Sequence, residues 1–119
     1  MPVEPEKFLS IAFELLGRDS EYAWRTSIGR SYYAAFGVVR ERLALRNVTF
    51  ANQGVHTAVY KHLMAHSDKD VRGAGAELKR VFEARKDADY ELGKTVTSDD
   101  AEDARERAID VIQVAKDHL

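Results

Sequence analysis

Apolar positions recur at spacings of three and four along most of this chain, and strict apolar–polar alternation is scarce, a pattern that predicts helices from end to end. The first helix is expected to begin near Pro5, at an early helical position, and to stop at Gly17. Phe8, Ala12, Leu15 and Leu16 share its inner face, which Leu9 and Phe13 widen. Asp19-Ser20 offers an N-cap for a long second helix reaching about Arg46, striped by Trp24, Ile28, Tyr32, Ala35, Val39 and Leu43. On that helix the small residues Ser31, Ala34, Ala35 and Gly37 would let a neighbouring helix come close. Gly37 costs about 1 kcal/mol relative to alanine if it is exposed in mid-helix.

Positions 47–54 read as the main loop. A shorter third helix is expected from about Val55 to His66, with Val59, Tyr60, Leu63 and Met64 inward. Ser67-Asp68 restarts the chain, and a fourth helix runs to about Leu92 or Gly93, with Gly93 a candidate for the residue that closes it. Its apolar face is Val71, Ala74, Leu78, Val81, Phe82 and Ala88. Thr97 or Ser98 caps the last helix, whose positive N-terminal end is matched by Asp99, Asp100 and Asp103. Ala101, Ala104, Ala108, Ile112 and Ala115 give that helix a narrow inner stripe. Both prolines, Pro2 and Pro5, stand at the start, and no repeat or low-complexity tract divides the chain. The expected architecture is all-α: one domain over residues 1–119, an antiparallel four-helix-type bundle with a short additional helix.

Composition narrows the chemistry. An apolar content of 45% beside 32% charged residues suits a packed core with a solvated surface, not a disordered chain. The absence of cysteine removes disulfides, thiol nucleophiles and thiolate metal sites. No stretch approaches the roughly 20 apolar residues of a membrane span. The acidic segment Met1-Pro2-Val3-Glu4-Pro5-Glu6 lacks the basic-then-apolar order of a secretory signal, so a cytoplasmic setting is expected. The net charge of −2 offers no global attraction to nucleic acid, which leaves only local patches. Charge is uneven. Five arginines (Arg25, Arg30, Arg40, Arg42, Arg46) face two glutamates over positions 21–46, whereas seven acids face three bases over 99–119. A solvated surface and an acidic face that docks a basic partner both account for this asymmetry.

Three segments go beyond generic helical sequence: Gly29-Arg30-Ser31-Tyr32-Tyr33-Ala34-Ala35-Phe36, then Gln53-Gly54-Val55-His56-Thr57-Ala58-Val59, then Glu83-Ala84-Arg85-Lys86-Asp87-Ala88-Asp89-Tyr90. In this order and at these separations the chain resembles the HEPN (higher eukaryote and prokaryote nucleotide-binding) family. The branch in question carries a serine-arginine-tyrosine-tyrosine-alanine helix, a glycine-x-histidine helix start and an arginine-x-x-alanine-aspartate-tyrosine helix. The first motif is permuted here to Arg30-Ser31, and the resemblance spans roughly residues 20–115.

The resemblance implies a homodimeric bundle. In many active members it further implies a metal-independent ribonuclease site at the dimer cleft, marked by an arginine and, four to six residues later, a histidine. Arg85 stands in the arginine position, but the histidine positions hold Tyr90, Glu91 and Leu92. Such a ribonuclease needs proton transfer to and from oxygen, for which histidine is suited near neutrality, and a cation for the pentavalent phosphorus. Tyrosine is a poor base at pH 7.

His56, at the start of the third helix, is the substitute base if RNA is cut; otherwise it is a structural helix-start histidine. Arg85 is either a phosphate ligand or the partner of Asp89 one turn later. Asp89 and Tyr90 read as structural, with Arg30 a candidate partner for Asp89, and Tyr33 belongs to the same motif set. His62 and His66 lie four apart but lack a nearby acidic third ligand, so no metal and no cofactor are expected. The resulting expectation is a dimeric regulatory or partner module of a toxin–antitoxin or nucleotidyltransferase-linked system, with a minimal nucleotidyltransferase as partner. The alternative is a metal-independent endoribonuclease toxin using Arg85 at the dimer cleft. An RNA ligand fits both; membrane and DNA are not expected.

Overall fold

The computed structural model describes residues 3–119; Met1 and Pro2 lie outside the described residues. A single 3-10 turn, Pro5–Lys7, leads into α1 (Phe8–Leu16), followed by α2 (Glu21–Leu45), α3 (Val55–Met64), α4 (Lys69–Tyr90) and α5 (Ser98–His118). The predicted order of helices holds throughout, but two of them are short. α1 has 9 residues, no longer than α3 with 10, against 25, 22 and 21 for α2, α4 and α5.

The caps are those that the sequence offers. Ser20 Oγ accepts from Ala23 N, Asp68 from Asp70 N and Val71 N, and Thr97 forms a reciprocal capping box with Asp100. Gly54 precedes α3 with φ +69°, a left-handed conformation open to glycine at little cost. Two ends differ from expectation. α3 stops at Met64 and not at His66, whose ring Nδ1 instead accepts from the Asp68 amide. α4 stops at Tyr90, before Gly93, and Gly93 is not left-handed.

Arginines close two helix ends, at α4 in place of the expected Gly93 and at the C-terminus of α5. Arg25, 8% exposed, reaches from the first turns of α2 to the end of α4, donating to the carbonyls of Ala88 (2.8 Å), Asp87 (3.3 Å), Glu91 and Lys94. Asp87 O also takes the Glu91 amide and Glu91 O the Lys94 amide, while Ala88 O has no backbone donor, and a guanidinium with five N–H groups suits the fan these carbonyls form. At the far end of α2, Arg42 donates to Ala115 O and Lys116 O and Arg46 to Leu119 O and His118 O, which serves the C-terminus of α5 in the same way. Three of the five arginines behind the positive balance of α2 are thus engaged on backbone carbonyls of this chain.

Those contacts also set helix directions. The end of α2 meets the end of α5, so these two run parallel, while Arg25 against the end of α4 makes α2 and α4 antiparallel. Arg107 on Glu77 and His118 on Asp68 make α4 and α5 antiparallel. α1, α2, α4 and α5 therefore alternate in direction, with α2 and α5 on the diagonal, while α3, its start on Phe82 and its end on Gly75, runs antiparallel to α4 and parallel to α2. That diagonal carries the most extensive contact in the molecule. Its closeness follows from side-chain size: Ser27, Ser31, Ala34 and Ala35 on α2 and Ala101, Ala104, Ala108 and Ala115 on α5 are all buried.

Two close approaches explain glycines. A Cβ at Gly37 would overlap the ring of Pro5, and one at Gly75 would come within 2.8 Å of Leu63 Cβ and Met64 N. Gly37 thus sits in mid-helix because the leading turn packs on it. Ser27 Oγ adds a buried link between α1 and α2 by donating to Ala12 O at 2.8 Å.

Candidate functional site

α2 and α4 meet on their outer side around Tyr32, which is fully buried, and α3 starts beside it. The consecutive tyrosines of α2 diverge because a helix turns by about 100° per residue: Tyr32 enters the core and Tyr33 stays 38% exposed. Arg85 of α4 lies over both rings, 5.8 Å from the Tyr32 centroid and 5.3 Å from that of Tyr33. Its Nη2 donates to Tyr33 Oη at 3.2 Å and its Nε to Asp89 at 3.1 Å. The side chain is only 15% exposed. Arg85 is thus held in place on two aromatic faces by a phenol and a carboxylate, and it makes the i,i+4 pair with Asp89 that the sequence offered.

Arg30 is placed elsewhere. Its guanidinium lies 5.8 Å from the Phe8 ring of α1, so the partner of Asp89 is Arg85 and not Arg30. Tyr90 is 70% exposed, and Glu91 and Leu92 after it are exposed as well. The positions where an imidazole would follow Arg85 therefore lie at the surface, at the last residue of α4 and just beyond it. Of the acids flanking Arg85, Asp89 is engaged by Arg85 itself and Asp87 by Lys94 at 2.9 Å.

His56 comes next to Arg85 through Tyr32. The Tyr32 hydroxyl and His56 Nδ1 are 2.7 Å apart. The imidazole is bracketed by Phe36 at 4.5 Å and by Phe82, almost parallel to it at 5.5 Å. Partial burial holds the His56 pKa below the ordinary histidine value, and Arg85 and then Arg40 push it the same way. Burial raises the Tyr32 phenol far above its usual range, so it stays protonated. Around this aromatic group Arg40 lies over Phe36 (5.8 Å), Lys86 over Phe82 (4.8 Å) and Lys79 over Tyr60 (6.0 Å). None of these three cations has a carboxylate partner among the described residues.

The sequence reasoning thus placed Arg85, Tyr33, Asp89 and His56 in motifs that the fold brings to one face, and separated Arg30 and Tyr90 from it only imperfectly. It missed Tyr32 as the link between His56 and Arg85, and Arg40 and Lys86 beside them. The signal was present: Arg40 follows Phe36 by one turn of α2, and Lys86 follows Phe82 by one turn of α4.

His62 packs edge-on to Phe50 while His66 takes the Asp68 amide, so these two are engaged separately. A different histidine gathers acids. His118 Nδ1 meets Asp68 at 2.8 Å and its Nε2 lies 3.5 Å from Asp70, with one ligand-type atom from each residue within 4.8 Å of the others. Because both ring nitrogens face carboxylates, this arrangement suits an imidazolium that ties the end of α5 to the start of α4. Among the described residues no helix is long and apolar enough to cross a membrane.

In comparison with known protein families, the model of the HEPN domain matches residues 5–118. Neither the curated proteins nor the solved structures provide a match.

Proposed function

The chain belongs to the HEPN domain family, and from that premise we propose that it acts as a homodimeric, non-nucleolytic partner module in the cytoplasm, in a toxin–antitoxin or nucleotidyltransferase-linked system. The observation that carries this reading is the state of Arg85. Its guanidinium is taken up by Tyr33 and Asp89, and the next three candidate positions for a catalytic imidazole hold Tyr90, Glu91 and Leu92 at the surface. A cation without an imidazole following it on its own helix stabilises charge but does not by itself cleave a phosphodiester.

The α2–α4 face supports a role in assembly. Tyr22 (86% exposed), Tyr33, Tyr90 and Leu92 (75%) leave large apolar area uncovered there, and nothing stands over Gly29. A second copy of the bundle is the occupant proposed for that face.

One observation favours a second reading, the metal-independent endoribonuclease: His56 and Arg85 both border the Tyr32 ring, which gives a cation and an imidazole in one place.

Co-expression with a minimal nucleotidyltransferase encoded beside this chain, followed by affinity capture and mass measurement, tests the first reading. A stable complex in which this chain is present as a dimer is the expected result. A monomer at micromolar concentration that leaves the nucleotidyltransferase behind overturns it.

A further inference from the structure

The groove between α4 and α5 holds two hollows of similar size, about 270 Å³ and about 260 Å³. Ile28, Ala84 and Val96 give the first an apolar floor, and Asp87, Asp100 and Asp103 stand around it. The second has Ala74, Val111 and Val114 beside Glu77 and Asp110, and Gly73 leaves its α4 wall open. Arg107 crosses the groove between the two, bonded to Glu77 and to Asp103. Because α4 and α5 are antiparallel, the hollows follow one another along both helices, roughly 15–19 Å apart at a rise of about 1.5 Å per residue. Each is smaller than the roughly 300 Å³ at which pockets for whole small molecules begin, and so suits one long side chain.

The hydrogen-bonding capacity left over around the first hollow is of one kind. Lys94 donates to Oδ2 of Asp87, the Thr97 amide to Oδ2 of Asp100 and Arg107 to Oδ2 of Asp103, while the three Oδ1 oxygens receive no donor among the described residues. Two carboxylates share Arg107, and Asp100 has no cation partner. The negative strip continues in Asp110 and, along the exposed flank of α5, in Asp99 and Glu106, none of which has an ion-pair partner among the described residues. Lys69 and Arg80 are the unpaired cations on the α4 side. Phosphate is repelled by such a rim, whereas a lysine or arginine lays its aliphatic stem on an apolar floor and brings its charge to the carboxylates.

We propose that the α4–α5 groove is the docking surface for a basic amphipathic helix of a partner protein, with a lysine or arginine entering each hollow. The separation of the hollows sets the register. Residues about 11 apart return to the same face of a helix after three turns and are separated by about 16 Å, which matches the two hollows. The inference rests on the reading of this chain as a partner module, and it names the face and the charge of what docks there.

The probe is a synthetic helical peptide with two lysines eleven residues apart on a leucine-bearing face, titrated into the nitrogen-15 labelled full chain. Amide shifts should concentrate at Gly73, Ala74, Val96, Asp110 and Val111. A peptide with its lysines seven residues apart should bind about fivefold more weakly, and one with glutamates in their place should not bind. Gly73→Leu fills the second hollow from a position with open space around it, and Asp110→Asn removes an unpaired surface charge. Each should weaken binding by about tenfold with the helical circular dichroism unchanged. No binding of the first peptide, equal affinity for the two lysine spacings, shifts outside the groove, or unchanged affinity in both variants overturns the proposal. Two other occupants are tested in the same way. Cadaverine that reproduces the shifts at the same concentration makes the hollows small-amine sites, and self-association through these residues without peptide assigns the groove to a second copy; either overturns a helix of a partner protein. Because no nucleotidyltransferase enters the titration, this groove and the proposed partnership fail separately.

Discussion

Replacing Arg25 with alanine removes the group that closes α4, and the cost can be worked from its contacts. Of the carbonyls it serves, that of Ala88 belongs to a residue only 2% exposed, so losing the guanidinium leaves it buried and unpaired. Glu91 and Lys94 are exposed, so their carbonyls find solvent. One orphaned buried carbonyl costs about 1–3 kcal/mol, and the lost contacts to the remaining carbonyls add about 1 kcal/mol, for a total of about 3 kcal/mol. With an unfolding entropy of about 2.1 cal/mol/K per residue, the 119 residues give about 250 cal/mol/K, so the melting temperature should fall by about 12 °C. Arg25→Lys keeps the charge but not the fork and should recover about half of that loss. Thermal unfolding followed by far-ultraviolet circular dichroism measures both. Arg85→Ala, whose carboxylate partner is exposed, is the comparison and should cost about 1 kcal/mol. An Arg25→Ala protein melting within about 3 °C of the wild type would refute the capping argument.

Other consequences follow from the same packing. Gly75→Ala places a methyl against Leu63 and the Met64 backbone and should destabilise by about 1–2 kcal/mol, overpacking outweighing helix propensity. Gly73→Ala, with open space around it, should instead stabilise by up to about 1 kcal/mol, and denaturant titration of the pair reads the opposite signs. The His118 pKa is raised chiefly by its hydrogen bond to Asp68, and the Asp68 pKa is lowered by the same bond. The His118 contribution is therefore complete below the ordinary histidine value of 6.5 and fades as pH rises through the raised value. The Asp68 contribution holds above the ordinary value of 3.8 and fades as pH falls through the lowered one. Stability measured across pH should lose its alkaline-side component in His118→Gln; an unchanged profile would remove the link between α4 and α5 from the account.

Element identity was legible because each helix carries a three-and-four apolar stripe, and the three long ones also begin at a side-chain cap readable in sequence: Ser20, Asp68 and Thr97. The ends of α3 and α4 were not legible. Local sequence favours glycine as a terminator, yet α4 is closed by an arginine 62 to 69 positions away, a partnership that exists only after the bundle forms. The same long-range contacts make the charge count of α2 misleading, since Arg25, Arg42 and Arg46 face carbonyls and not solvent partners. At the site, the Arg85–Asp89 pair was readable from i,i+4 spacing. The Tyr32–His56 bond joins two helices across 24 positions and leaves no periodic trace.

The proposal that the rest depends on is that the pairing of Arg85 and His56 around Tyr32 does not cut RNA. Incubating the purified protein with single-stranded RNA in the presence of a chelator, beside Arg85→Ala and His56→Ala, examines it most directly. The account predicts full-length RNA in all three samples at every time point. Cleavage by the wild type that disappears in both variants would contradict it and establish Arg85 and His56 as a nuclease pair.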